Sequence, residues 1–480
     1  MKNSTINRNH NRKYGKLKWL ALWVLWLIIW QAIAMVVNNS LLLPSPIAAA
    51  KALYILGGTT TFYVDVFATV LRCVLSAIIS FAAGCIFAYI SYKCTLVRDF
   101  LSIPVLFFKS VPVMAIIIYL ILLATSNVVP VLVGFLMCFP VVYTNVLSGL
   151  DSTDSKLLEM AQVFNFSRYK VLRFIYIPSS GPQIKSSISL IAGLSWKAVV
   201  TAEVLSIPQF SLGYNMINAK YYLETENLFA YIIVIVLLSM TFEKLTKVAI
   251  NSSGTTSYEK SKVMVSCGRG HGVDTAEIQT DGGCDILCRN FSKVFEIENN
   301  GNITKKIVSV PDKTFKRGEV NVIMAPSGSG KTTLLNGIAG LIDFEGEITG
   351  ISDDRVSMIF QEDRLLPWLN VYDNIAIVLQ GTSKAKVDDV VSQAIKKLGI
   401  EEAIHKVPSQ LSGGMCHRVA MGRALVAEYN LLLVDEPFRG LDNKLKKEII
   451  EGIWREKTKD KTVIVVTHNK EDAEALKRGI

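Results

Sequence analysis

The sequence predicts a multi-domain protein: an all-α polytopic membrane domain of about six spanning helices, then an α/β domain built on a phosphate-binding loop. Three observations carry this. Half of the 480 residues are hydrophobic, mean hydropathy is positive, and the long apolar runs fall before residue 250. The basic balance falls there too: residues 1–250 hold 20 Lys and Arg against 9 Asp and Glu, whereas the remainder holds 31 against 32. After residue 283, short apolar runs alternate with helical stretches, and one run leads into the near-match APSGSGKTT at 325–333.

Apolar runs lie at 19–37, 68–90, 101–124, 128–147, 184–205 and 228–245, each close to the roughly twenty residues that cross a bilayer. The first follows six cations, Lys2, Arg8, Arg12, Lys13, Lys16 and Lys18. A signal peptide also begins basic, but its apolar region is shorter and ends at a small-residue cleavage site, so the run reads as a retained span with a cytoplasmic N-terminus. Six spans return the chain to the cytoplasm. Loops placed inside carry Lys93 and Arg98, then Lys156, Arg168, Lys170 and Arg173, with Lys247 after the last span; loops placed outside carry Lys51 and Lys220. That asymmetry follows the positive-inside rule.

Long apolar stretches between the cations argue against nucleic acid as a partner and for the lipid bilayer. Cys73, Cys85 and Cys138 read as small hydrophobes, and Cys284 with Cys288 forms a lone C-x-x-x-C without a second pair or His cluster, which is incidental rather than a metal site. Lys109, Lys197 and Glu203 fall inside expected spans, where a charge is costly; each either faces a pathway, snorkels or pairs within the bundle.

The longest inner loop, 149–178, offers Asp151, Ser152 and Asp154 as helix caps. Leu157, Leu158, Ala161 and Phe164 then recur at helical spacing, Asn165 suits a left-handed turn, and Pro178 is expected to stop the segment after it. Such a helix either rests on lipid headgroups or docks on another domain. The order Glu159-x-Ala161, Asn165, Ile175-x-Ile177-Pro178 resembles the EAA loop of binding-protein-dependent import permeases, with Met160 where the family has Ala and Asn165 where it usually has Gly. The resemblance implies a coupling helix that docks into an ATPase, with Glu159, Ala161 and Asn165 as its coupling residues. LLLPSP at 41–46 and SWKAVVTAEVL at 195–205 resemble the nitrate/sulfonate/taurine branch.

The chain therefore divides into a permease domain at 1–250 containing that loop, a polar Gly-, Ser- and Thr-rich cytoplasmic linker at 251–283, and an ATP-binding domain at 284–480. In the latter, the strand at 320–324 opens into Ala325, Pro326, Ser327, Gly328, Ser329, Gly330, Lys331, Thr332 and Thr333. The glycines let backbone N–H groups face phosphates, Lys331 sets a cation near the β- and γ-phosphates, and Thr332 offers its hydroxyl to Mg²⁺. The helix expected at 332–339 presents its positive end to the anion. Ala325, where the pattern asks for Gly, precedes the cradle and costs nothing unless the position needs positive φ.

Further on, the apolar run 431–434 ends in Asp435 and Glu436, the first read as a Mg²⁺ holder and the second as the residue that orients or deprotonates the attacking water. LSGGM at 411–415 resembles the signature of ABC ATPases, with Met415 for the usual Gln and Cys416-His417 for the Arg-Gln that often follows. The resemblance implies that Ser412, Gly413 and Gly414 contact the γ-phosphate held by an opposing subunit. It likewise makes Gln361 in IFQED the residue that reaches Mg²⁺ and senses the membrane domain, Asp442 part of the D-loop, and His468 the γ-phosphate switch. LLPWL at 365–369 again resembles nitrate/sulfonate/taurine ATPases, and Phe295 is either an adenine-stacking residue or a core aromatic.

These readings imply an ATP-hydrolysing importer subunit that uses ATP and Mg²⁺ and works as a homodimer or a paired half-transporter. It would sit in the cytoplasmic membrane with an external substrate-binding protein, moving a small anion such as a sulfonate or nitrate. An ABC exporter and a membrane-tethered sensor ATPase are the alternatives; exporters generally have longer cytoplasmic helices than these short inner loops allow.

Overall fold

The computed structural model describes residues 21–260, 285–299, 302–326, 328–351, 355–379 and 383–478. The N-terminal cations, most of the expected linker, Cys284 and Ser327 lie outside them. The chain forms two compact units, Met1–Ser152 with Ser179–Ser253, and Thr153–Pro178 with Gly254–Ile480. The inner-loop segment thus belongs with residues 254–480 rather than with the helices that flank it in sequence.

The first unit is helical. In order come α1 (Ala21–Val37), α2 (Pro46–Leu56), α3 (Thr60–Lys93), α4 (Thr95–Ser110), α5 (Val113–Leu123) and α6 (Val129–Asp151). After the inner loop, α10 (Gly181–Ser206), α11 (Leu212–Tyr221) and α12 (Thr225–Lys260) complete it. Among the described residues four helices, α3, α6, α10 and α12, are long and apolar enough to cross a membrane. Each of the six expected runs falls on helix, and the expectation of unbroken spans is corrected at one of them. The run 101–124 is two helices, α4 and α5, bent by 108° at Val111-Pro112. Proline cannot donate to the preceding turn and pushes the residue before it to extended backbone, and Val111 is extended (φ −74°, ψ 134°). The first run is described over only the 17 residues of α1. At the far end α12 continues to Lys260, ten residues past the expected start of the linker.

Small residues let α3, α6 and α10 meet closely, as helices without a hydrophobic drive between them require. A Cβ on Gly84 would fall 2.6 Å from Val142, and one on Gly134 2.6 Å from Ser76. Glu203 is wholly buried, bonded by Arg72 at 2.8 Å, by the Thr69 hydroxyl at 3.0 Å and by the Gly213 N–H at 3.3 Å. It is a paired charge within the bundle. Lys109 donates to the Thr144 hydroxyl at 3.2 Å, and Lys197 is exposed on α10.

The second unit begins with α7 (Ser155–Val163), α8 (Arg168–Val171), a π-helical turn at Leu172–Tyr176 and α9 (Ile177–Ser179). Pro178 does not stop this segment: it lies inside α9, just after the wide π turn, a local widening that accommodates a missing N–H. An antiparallel sheet follows, with β1 (Ile286–Asn299) pairing β2 (Asn302–Ser309), β3 (Lys313–Phe315) and β5 (Glu345–Thr349). The core sheet is parallel, in the order β4 (Val320–Met324), β8 (Thr462–Thr467), β7 (Leu431–Asp435), β6 (Val356–Ile359). β7 and β8 are buried along their whole length, which is why they read as unbroken apolar runs. Around them lie α13 (Lys331–Ile338), α14 (Val371–Ala376), α15 (Lys384–Lys397), α16 (Gly413–Val426), α17 (Asn443–Ile449), α18 (Arg455–Thr458) and α19 (Lys470–Arg478).

Candidate functional site

Parallel strands with helical crossovers bring the C-terminal ends of distant segments to one edge, where ligand crevices form. Here β4 ends at the phosphate-loop motif, β7 at Asp435-Glu436, β8 just before His468, and β6 just before Gln361. Motifs spread over more than a hundred residues therefore share one rim.

The loop has the backbone a phosphate cradle needs. Gly328 and Gly330 take φ of +82° and +85°, conformations that side-chain-bearing residues rarely adopt. A Cβ on Gly330 would also lie 2.4 Å from Val308, so glycine is required there twice over. Ala325 is not among the positive-φ residues, so replacing Gly costs no strain at that position. Lys331 begins α13 and turns its ammonium back onto the carbonyls of Ala325 and, at 2.9 Å, Pro326. The Ser329 hydroxyl is buried without a partner.

Beside the cradle, Thr332 donates its hydroxyl to Asp435 Oδ2 at 2.7 Å. Burial pushes the Asp435 carboxyl up from its ordinary value; the Thr332 bond and Lys331 pull it down, and the Glu436 charge raises it further. A cation between hydroxyl and carboxylate would offset that burial. Glu436 has φ of +52°, strained for a residue with a side chain, and its Oε1 sits 3.0 Å from His468 Nδ1. A cavity of about 480 Å³ gathers Gly328, Gly330, Lys331, Thr332, Thr333, Gln361, Asp435 and Glu436. Phe295 lines it too and is 37% exposed, while its neighbour Phe291 takes the core position. Lys306 and Val308 of β2 complete the lining and were missed. No local motif marks them, because strand pairing alone brings them there. Ser412, Gly413, Gly414 and Asp442 do not line this cavity. Ser412 caps α16 through the Met415 N–H, and Asp442 caps α17 through the Leu445 N–H.

The inner-loop helix meets the same unit from another side. Asp154 caps α7 by accepting the Lys156 N–H at 2.9 Å. Leu157, Met160, Ala161, Val163 and Phe164 are buried in one apolar cluster with Leu334, Met358 and Leu366. Leu158 is only partly covered, and Met160, wholly buried, fills the place the sequence pattern had left unassigned. Asn165 takes φ of +50°, with the Phe166 N–H bonding Ala161 O at 2.9 Å and the Asn165 N–H bonding Gln162 O at 3.0 Å. That is the Schellman closure, in which asparagine serves in place of glycine.

Polar contacts frame the apolar face. Glu159 pairs with Arg364 at 2.7 Å, and Lys156 with Glu362 at 2.5 Å. Gln162 donates to Gly340 O at 2.9 Å, Lys170 to Ile377 O at 3.1 Å, and the Trp368 indole to Phe174 O at 2.8 Å. Glu362 and Arg364 lie within three residues of Gln361, so the helix grips the segment that leads out of that cavity.

Comparison with known proteins agrees with this geometry. Residues 310–439 match the ABC transporter family, and residues 80–249 match the family described as binding-protein-dependent transport system inner membrane component. The taurine import ATP-binding protein TauB of Escherichia coli (strain K12) is 39% identical over 172 residues, spanning 33% of this chain and 67% of that protein. Its counterpart in Escherichia coli O157:H7 is 38% identical over 181 residues, 35% of this chain and 70% of that protein. The dimeric structure of MJ0796, a bacterial ABC transporter cassette, is 30% identical, covering 40% of this chain and 90% of its own, with a TM-score of 0.35. Apolar helices of spanning length and the permease match make this a multi-pass membrane protein. A permease domain and an ATP-hydrolysing cassette share one polypeptide, and the chain belongs to the ABC transporter family.

Proposed function

We propose that this chain is one half of an ATP-driven importer, a homodimer or a paired half-transporter in the cytoplasmic membrane, with its N-terminus and ATPase unit in the cytoplasm. The observation that carries the reading is the seat of α7: an apolar face buried in the core of the second unit and an ion pair from Glu159 to Arg364, three residues from Gln361. A helix held there moves with the nucleotide cavity.

In this reading Lys331 and the backbone of 325–333 hold the phosphates of ATP, Phe295 stacks on the adenine, and His468 contacts the γ-phosphate. Glu436 orients or deprotonates the attacking water. Thr332, Asp435 and Gln361 would hold Mg²⁺, which when bound neutralises phosphate charge. Ser412, Gly413, Gly414 and Asp442, away from their own cavity, serve the nucleotide of the second copy. Closure on ATP then pulls α7, and hydrolysis releases it.

The transported solute is a small anion such as a sulfonate or nitrate, delivered by an external binding protein. The taurine-import relatives and the 195–205 and 365–369 resemblances support that choice. Uptake of radiolabelled taurine and nitrate into vesicles carrying the protein, with and without a candidate binding protein, tests it. Uptake that needs both ATP and the binding protein is expected; ATP-driven efflux would replace the reading with an exporter.

A further inference from the structure

The signature of this chain departs from the usual pattern at Cys416-His417, and the second of these occupies a particular place. His417 lies on the first turns of α16 and is 4% exposed. Its Nδ1 is 2.8 Å from Asp363 Oδ1, and its Nε2 is 2.8 Å from the carbonyl oxygen of Pro437. Neither oxygen, one carboxylate and one carbonyl, has a hydrogen to give. Both ring nitrogens are thus engaged at once, one on each side of the ring. A glutamine side chain has one donor nitrogen and cannot reproduce both bonds from opposite sides of a rigid ring.

The two partners belong to different parts of the machinery. Pro437 directly follows Glu436, the strained residue of the nucleotide cavity. Asp363 lies between Gln361 and Arg364, and Arg364 pairs with Glu159 on α7. The same helix grips the 363–364 backbone again through Arg423, which donates to the carbonyls of Asp363 at 3.0 Å and Arg364 at 2.9 Å. Arg423 also lies 5.4 Å from the ring of Phe164 at the end of α7. A bonded path thus runs from the backbone behind Glu436, through His417, to Asp363, Arg364 and Glu159.

We propose that His417 is a positioning residue that ties the carbonyl behind Glu436 to the segment gripping α7, so that the catalytic carboxylate and the transport helix move together. This rests on the proposed roles of Glu436 and α7. A path of contacts is spatial until coupling across it is measured, and energetic coupling shows as failure of additivity.

The test uses the full chain in lipid vesicles, with hydrolysis measured against ATP concentration for His417→Gln, Asp363→Asn and the double variant. Each single substitution is expected to lower kcat about tenfold, the scale of one charge-assisted hydrogen bond, while KM for ATP stays within about twofold. The double variant should be no worse than the worse single one. Adding Glu159→Ala should lower kcat in the wild-type background and have no further effect beside His417→Gln. Asp363→Asn changes one atom and carries the test if His417→Gln does not fold. Losses that multiply in the double variant, wild-type kcat in Asp363→Asn, or a raised KM with unchanged kcat each overturn the proposal. Glu436→Gln in the same vesicles separates the failures: if it hydrolyses normally the assignment of Glu436 is wrong, whereas a dead Glu436→Gln beside an unaffected Asp363→Asn removes the His417 link alone.

Discussion

Placing a charge at Ala161 isolates the docking of α7 from the chemistry of the nucleotide cavity. Ala161 is 2% exposed, and its neighbours Leu157, Met160 and Phe164 are buried with it in one apolar cluster. The three apolar side chains each contribute about 1.5–3 kcal/mol by burial and hold the helix down. The ion pairs at the rim add less: Lys156 and Glu362 are both largely exposed, so solvent screens their pair. An aspartate at 161 must give up its hydration inside an apolar cluster, an effective cost of several kcal/mol. Taking that cost as about 3–4 kcal/mol, the docked population falls by roughly two to three orders of magnitude. Ala161→Asp is therefore expected to lose transport and substrate-stimulated ATPase activity together, while equilibrium ATP binding persists because no cavity residue is touched. Membrane insertion is checked first, by protease protection, and Ala161→Ser serves as a small polar control that keeps activity. A correctly inserted Ala161→Asp protein that transports at the wild-type rate would refute the reasoning and leave α7 without a coupling role.

Glu436→Gln is expected to bind ATP and leave hydrolysis near background, whereas Lys331→Ala weakens binding itself; nucleotide-binding and phosphate-release assays distinguish the two, and normal turnover in Glu436→Gln would remove it as the base. Gly330→Ala should lower ATP affinity by more than about tenfold, some 1.4 kcal/mol, because its Cβ meets Val308 at a backbone φ of +85°. Wild-type affinity would mean that Val308 yields. Ala325→Gly, by contrast, should change affinity little, since Ala325 has no positive φ to relieve. A tenfold tightening by isothermal titration would contradict that.

Much of the nucleotide site was legible in sequence because its chemistry is local. The phosphate loop, the Asp435-Glu436 pair and His468 each follow a parallel strand, half-buried for the first and buried for the other two, and such strands show as short apolar runs followed by the candidate residue. The strand at 320–324 was read with the bounds observed, and the α7 cap, face and Asn165 turn followed from helical spacing and backbone preference. What sequence could not supply is whatever depends on which segments meet. Lys306 and Val308 reach the cavity because β2 pairs with β1, and no local pattern records a pairing partner. Arg72 neutralises Glu203 from 131 positions away. Residues 153–178 fold with the ATPase unit because their apolar face finds its core there, across more than a hundred residues of intervening chain. The apolar run 101–124 has the composition of a span, yet one proline without an amide hydrogen bends it by 108°. Composition decides what a segment can be buried against, and the tertiary structure decides what it is buried against, because burial energy is non-directional and only packing chooses the partner.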